Sequence, residues 1–245
     1  MLSSYMQRFY PESRFGGFTN YDGTVAFYSR IHSLLEPQSI VLDIGCGHGK
    51  RQNDPSKLHS RLRDLRPHVR RVIGIDVDLS AASNPTLHEF RAIHNSGWPV
   101  ENNSVDLAFS DYVLEHVQQP GEFFLECFRV LRPGGILCLR TVNVWGYVGL
   151  IARLIPNRHH FSVLKRVSAP RQEAYPTFYR CNTLRSLRRI LGQTGFDAVV
   201  WSIDSEPHYV DFGVWAYALG VLYQRYALAS FRNNLIAFAR KPVAV

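Results

Sequence analysis

The residues with the clearest chemical content lie together in the run VLDIGCGHG at 41–49. An apolar stretch ends in Asp43, and Gly45, Gly47 and Gly49 follow at alternate positions, with Cys46 between the first two. A glycine turn lets the backbone approach a ligand closely, because no Cβ intervenes. Turns of this kind after a strand hold nucleotides, and the spacing decides which one. A dinucleotide fingerprint needs GxGxxG, but Lys50 stands where its third glycine belongs. A phosphate loop needs GxxxxGK followed by Ser or Thr, which GCGHGKR does not supply. A second acid, Asp76, ends the apolar run RVIGID. There it is placed to accept both hydroxyls of a ribose, as the acid of a dinucleotide site does.

Such residues need rigid elements behind them. Apolar runs of strand length occur at SIVLDIG (39–45), RVIGIDVD (71–78), DLAFSD (106–111) and ILCLRTVN (136–143), with a weaker one near HEFRAIH (88–94). Helical spacing is found in VAFYSRIHSLL (25–35), at 56–66, and in PGEFFLECFRVL (120–131). The last of these puts Phe124, Cys127, Phe128 and Leu131 on its inner face, with RPGG (132–135) as its C-terminal turn. A further amphipathic helix, TLRSLRRILGQTGF (183–196), precedes two closing strands, DAVVWSID (197–204) and NNLIAFARKP (233–242). Alternating strands and helices, with the strands nearly all apolar, indicate an α/β fold whose parallel sheet is covered on both faces. One domain over 1–245 is expected. Residues 1–38 form its N-terminal lid and helix, 39–143 its ligand-binding core, and the aromatic-rich interruptions 144–182 and 205–231 its acceptor side.

Taken in order, DIGCGHG (43–49), IGIDVD (73–78), SGWPVENNSVDLAFSD (96–111), YVLEHV (112–117) and LRPGGILCL (131–139) resemble the successive motifs of the class I S-adenosylmethionine-dependent methyltransferases. The similarity is to the small-molecule group called methyltransferase type 11, and it covers about residues 39–143. YPTFYRCNT (175–183) is similar to bacterial enzymes associated with glycolipid and polysaccharide synthesis. The resemblance implies a Rossmann-like three-layer sandwich, with a mostly parallel seven-stranded sheet, an antiparallel last strand and lid insertions. It implies S-adenosylmethionine as cofactor. Gly45 and Gly47 then pack against its methionine and ribose portions, with Cys46 and Gly49 in the same turn. Asp43 accepts N–H groups of the loop and reaches the cofactor's amino group, Asp76 takes the ribose, and Val77 lies against the adenine. Ser110 and Asp111 line the site. Where the family carries an adenine-contacting acid, this chain has His94 followed by Asn95.

Methyl transfer is an in-line displacement in which alignment supplies much of the acceleration. A base is needed only where the acceptor loses a proton. The candidates are His116, one turn into the helix after the fourth strand, and Tyr112; Tyr10, Arg14, Tyr21, Tyr179 and Arg180 are candidates for the lid and acceptor contacts. The turn SDYV lacks the paired prolines of amino-methylating nucleic-acid enzymes, and no Pro-Cys pair is present for cytosine-C5 chemistry. A small-molecule acceptor, lipid- or sugar-linked and methylated on oxygen, is therefore expected. RNA methylation, which the pI of 9.5 permits, and cofactor binding without catalysis are the alternatives. The net charge of +8 concentrates at 50–71 and 145–200. The amphipathic runs at 146–167 and 215–228 suggest peripheral contact with an anionic membrane surface, or a homo-oligomer. Four scattered cysteines without a CxxC argue against a metal site and for a reducing compartment. No apolar run reaches membrane-spanning length and the N-terminus lacks a signal core, so the expected location is the cytoplasm, peripheral to the inner membrane face.

Overall fold

The apolar runs form β1 (Ile40–Ile44), β2 (Arg71–Asp76), β3 (Glu89–Ala92), β4 (Val105–Asp111), β5 (Leu131–Val142), β6 (Asp197–Ile203) and β7 (Asn234–Arg240). They make one sheet in the order β3-β2-β1-β4-β5-β7-β6. β1 pairs in parallel with β2 and β4, and β4 with β5, whereas β7 runs antiparallel to both β5 and β6. This is the Rossmann-like arrangement with one antiparallel strand. The computed structural model describes residues 4–49, 56–94, 97–147, 149–150 and 175–243. Lys50, Asn95 and most of the basic run 146–167 lie outside them.

The helices are α1 (Ser4–Phe9), α2 (Gly23–His32), α3 (Lys57–Arg63), α4 (Pro120–Val130), α5 (Leu184–Thr194) and α6 (Val214–Tyr226). Asp22 caps α2 by accepting from Thr24 N and Val25 N at 2.8 and 2.9 Å. Thr183 and Ser186 form a reciprocal capping box on α5, which Gly195 ends in the left-handed conformation. Successive residues of a strand point to opposite faces, and the core divides accordingly. Leu42, Ile44, Ile73, Ile75, Leu137 and Leu139 face α4 and α5. Val41, Val72, Leu107, Phe109, Cys138 and Ile236 face α2 through Phe27, Tyr28 and Ile31.

Two local expectations are corrected. The inner face of α4 is Phe123, Phe124, Cys127 and Val130, one position ahead of the expected register in part. RPGG is also no separate helix stop: the chain passes from Val130 directly into β5, and the register against β4 shifts between Val105 and Leu107. Pairing of Val105 with Leu131 captures the chain at once, and Gly134, with φ +84°, accommodates the irregularity. Phe124 is fully buried at the centre of the α4 face. Phe124→Ala should lower the unfolding free energy by about 3–5 kcal/mol, measured by urea denaturation.

Candidate active site

The period-two argument that divides the core also gathers the chemistry. Asp76 and Asp111 end β2 and β4, and Asp43 is the next-to-last residue of β1, the parallel strand between them. All three fall on the strand positions facing α2, as does Arg140 of β5. The sheet order reverses between β2 and β4 around β1, so these acids stand at the switch point where open α/β sheets bind ligands. Mutual repulsion makes the site costly to charge. Burial, then the charges of Asp111 and Asp76, hold the Asp43 carboxyl well above the usual carboxylate range.

The glycine turn has an internal wiring that differs from the expected one. Gly45 N and Cys46 N donate to Ile75 O at 2.8 and 3.3 Å, and Gly47 N donates to the Asp76 carboxylate at 2.8 Å. No donor among the described residues reaches the Asp43 carboxylate, which is left to face the site. Gly45 and Gly47 both have positive φ, +69° and +49°. A Cβ on Gly45 would strike Val113 at 2.5 Å, whereas one on Gly47 would meet nothing within 4 Å. Gly47 is thus the point where a ligand can lie on bare backbone. Sequence reasoning missed the clamp beneath it. Asn84, nearly buried, donates to Cys46 O at 2.9 Å and Gly47 O at 3.2 Å, while its own oxygen accepts from Thr86. A side chain at Gly49 would collide with Asn84. The Asn84-Pro85 pair was the available signal, since such dipeptides mark turns.

These features fit S-adenosylmethionine. Asp76 accepts one backbone N–H on each oxygen, from Gly47 and from Asp78 at 2.9 Å, which leaves two of its roughly four lone-pair positions for ribose hydroxyls. Val77 and Leu79 follow as an exposed apolar shelf suited to adenine. Cys46 packs over Gly74, and burial pushes its thiol well up, so it stays neutral. His94 is exposed in a small bridge to Gly97, and Asn95 lies outside the described residues. Ser110 is buried and points to the opposite face from Asp111, its hydroxyl without a partner among the described residues.

Asp111 holds Arg140 in a bidentate pair, at 2.6 and 2.7 Å, and accepts from the Tyr28 hydroxyl at 3.2 Å. Tyr112, in the left-handed region at φ +59°, lays its ring over Arg140 at 4.8 Å and gives its hydroxyl to Asn234 Oδ1 at 2.8 Å. His116 lies in a short 3-10 turn, Leu114–His116, rather than in the following helix, which starts at Pro120. Its Nδ1 is 2.9 Å from Pro176 O. A carbonyl only accepts, so Nδ1 carries the hydrogen and neutral His116 presents Nε2 as a lone pair. The segment returning from 175 spans the strand ends: Tyr175 donates to Asp78 at 3.1 Å, and Phe178 N and Tyr179 N donate to Glu115 O. Glu115 is buried beneath it, its pKa raised by burial and its carboxylate accepting from Thr141 at 2.7 Å.

Of the expected acceptor residues, Arg14 and Arg180 are exposed, Tyr21 is partly so, and Tyr179 is half-buried. Tyr10 is a core residue instead: α1 packs on α6 through Met6, Tyr10, Tyr217 and Val221, and the Tyr10 hydroxyl donates to Gln224 at 2.7 Å. The reason is that helix α6 turns Tyr217 and Gln224 inward beneath the N-terminal segment, a long-range contact with no local signature. Two acids that sequence reasoning passed over are buried on this side. Glu206 accepts from Thr19, and Asp204, beyond the end of β6, accepts Asn233 N and Nδ2 at 2.9 and 2.6 Å on one oxygen. Burial pushes the Asp204 carboxyl up to about 6, against the opposing pull of Asn233 and Arg232. A carboxyl that holds its proton more tightly folded than unfolded penalises the fold where it is charged. The penalty is absent below the unfolded pKa and complete above the folded one. Asp204→Asn should therefore raise stability by about 2–3 kcal/mol above pH 6 and be neutral near about pH 4, read from thermal unfolding across pH.

Comparison with known proteins agrees with this geometry. The family description "Methyltransferase domain" matches residues 19–200. A relative from Mycolicibacterium smegmatis, named for S-adenosylmethionine-dependent methyl transfer, is 35% identical over 108 residues, which are 42% of this chain and 38% of that one. A ubiquinone biosynthesis O-methyltransferase from Xanthomonas oryzae is 32% identical over 135 residues, 49% of this chain and 54% of the other. The chain thus spans about a third to a half of the length of the curated relatives it matches. The fold is shared with a phosphoethanolamine N-methyltransferase of Haemonchus contortus solved with S-adenosylhomocysteine, at TM-score 0.55 and 18% identity, over 98% of this chain and 60% of that one. A turn of bare glycine backbone, an acid with lone pairs to spare and the family match over most of the chain lead to one conclusion: this protein belongs to the class I S-adenosylmethionine-dependent methyltransferases.

Proposed function

We propose that the protein methylates an oxygen of a small-molecule acceptor that is lipid- or sugar-linked. The observation that carries this reading is the His116 tautomer: an imidazole with Nδ1 committed to Pro176 O and Nε2 open is a ready proton acceptor for a hydroxyl. S-adenosylmethionine supplies the methyl group on a cationic sulfur. In this reading Asp76 anchors the ribose, Gly45 and Gly47 admit the cofactor to bare backbone, and Asp43 receives its ammonium group. Cys46 and Gly49 shape the turn that Asn84 clamps. Val77 carries the adenine, with His94 and Asn95 at its edge. Asp111, tied to Arg140, sets the strand end rather than moving a proton. Tyr112 likewise positions, because its hydroxyl already donates to Asn234. The O-methyltransferase among the relatives supports oxygen as the acceptor atom.

Asp76→Ala should weaken S-adenosylhomocysteine binding at least about tenfold, since two charge-assisted hydrogen bonds are lost, by isothermal titration. Labelled methyl groups transferred into a cell extract should appear in the lipid or small-molecule fraction, and label in RNA would refute the acceptor class.

The membrane part of the reading rests on α6. Its inner face is Tyr217, Gly220, Val221 and Gln224, yet Trp215, Leu219, Leu222 and Tyr226 form a second apolar stripe that is exposed, continued by Phe212 and Leu228. Arg225 and Arg232 flank it. Aromatic and aliphatic side chains beside arginines suit the headgroup boundary of an anionic bilayer. No helix among the described residues is long and apolar enough to cross one. The protein should co-sediment with phosphatidylserine-containing vesicles at low salt, and Trp215→Ser with Leu219→Ser should abolish it. Failure of the unaltered protein to bind would remove the membrane from the proposal.

A further inference from the structure

Residues 175–179 are tied to two different strand ends. On the β2 side, the Tyr175 hydroxyl donates to Asp78 Oδ2 at 3.1 Å. On the β4 side, Phe178 N and Tyr179 N donate to Glu115 O at 2.8 and 3.2 Å, and Pro176 O accepts from His116 Nδ1 at 2.9 Å. The Tyr175 ring itself stands edge-on to the His116 imidazole, with centroids 6.1 Å apart. Because β1 lies between β2 and β4, one tyrosine side chain spans the carboxyl end of the strand from which the glycine turn leaves.

The Asp78 end of this span is built into the cofactor site. Asp78 N donates to Asp76 Oδ1 at 2.9 Å. Asp78 Oδ1 accepts from Ser80 N and the Ser80 hydroxyl at 2.8 and 2.6 Å, which caps the short 3-10 helix Leu79–Ser83 and fixes the carboxylate. Asp78 Oδ2 is left to Tyr175, with His48 Nε2 of the glycine turn 3.3 Å away. The Ser80 bonds most of all, then Tyr175 and His48, lower the Asp78 pKa, so the acceptor stays ionised.

Proline makes the span stiff. Pro176 has a fixed φ and confines Tyr175 before it to extended conformations. The Pro176 carbonyl therefore lies between two anchors, the Tyr175 hydroxyl ahead of it and the Glu115 contacts behind. With the first anchor gone, only the second holds the carbonyl that selects the His116 tautomer.

We infer that Tyr175 is a positioning residue that links the two halves of the reaction site: through Asp78 it ties the ribose-binding acid to the carbonyl that holds the base. A cofactor that orders the turn Asp76–Asp78 thereby also orders His116, and the base is set when the methyl donor is in place. The inference rests on the roles given to Asp76 and His116 in the proposed function.

The test is heteronuclear NMR of the His116 ring nitrogens in the full chain saturated with S-adenosylhomocysteine, assigned against His116→Gln. The unaltered protein should show Nδ1 protonated and Nε2 bare. Tyr175→Phe removes only a hydroxyl from an exposed ring, so the core is left intact. Asp78→Ser keeps a capping oxygen but falls short of Tyr175. Each change should mix the two tautomers and weaken S-adenosylhomocysteine binding about threefold. Each should also slow labelled methyl transfer into a cell extract about tenfold at saturating S-adenosylmethionine. The double variant should do no more than either change alone. A single Nδ1–H tautomer retained in Tyr175→Phe, a slowed transfer that saturating cofactor restores, or additive effects of the two changes would each overturn the inference. Failure of the unaltered protein to bind S-adenosylhomocysteine would remove the cofactor site and the link with it. Transfer by His116→Gln at the unaltered rate would remove the base from the proposed function, while the ring spectra still decide the link.

Discussion

The Asp111–Arg140 pair is the interaction on which the working edge of this sheet depends. Arg140 is almost fully buried in mid-sheet, its guanidinium bidentate to Asp111 and enclosed by the rings of Phe27, Tyr28 and Tyr112. It also donates to Thr24 in the first turn of α2 at 3.2 Å. One cation therefore joins β4, β5, α2 and the turn that carries the candidate base. Burying two charges costs several kcal/mol per ion, and only close geometry with further hydrogen bonds offsets it. The value of such a pair lies in specificity: without Arg140, the charge of Asp111 would bear on Asp43 unopposed, beside that of Asp76.

That constraint shapes the division of labour along the edge. On the β1–β2 side the carboxylates keep lone pairs available, and the glycine turn keeps backbone bare. At β4 the acid is neutralised and the neighbouring tyrosine is tied to β7. Beyond β5, Asp204 Oδ2, the Tyr217 hydroxyl and Gln224 Nε2 have no partner among the described residues. Available groups flank a neutralised centre. A ligand carrying positive charge suits the first region, and His116 sits in the short turn that the returning segment holds, through Pro176 O on the imidazole and through Phe178 N and Tyr179 N on Glu115 O.

Much of this was legible in the chain. The strands, their order of appearance and the glycine turn follow from apolar runs and spacing, because a buried parallel strand must be apolar throughout and a ligand-bearing turn must lack Cβ atoms. Local hydrogen bonding was less legible. The loop N–H groups choose Ile75 O and Asp76 over Asp43, an outcome of how β1 and β2 sit in register. Asn84 escaped notice because its partners at 46 and 47 are remote in the chain. Tyr10 looked like a lid residue, but its environment is set by a helix more than two hundred residues away.

By itself, then, the sequence determined the fold class through its periodicity, and its resemblance to the class I methyltransferases implied the cofactor. A buried parallel strand must be apolar throughout, and that pattern is written in the chain. Only the tertiary structure decided which acids are free and which are consumed. A carboxylate's role depends on what lies within about 3 Å of it. Asp111 meets Arg140, Asp76 meets two backbone amides with room to spare, and one oxygen of Asp204 meets no partner among the described residues. Chain spacing does not encode those meetings; the order in which the strands pair, and with it which strand ends become neighbours, does.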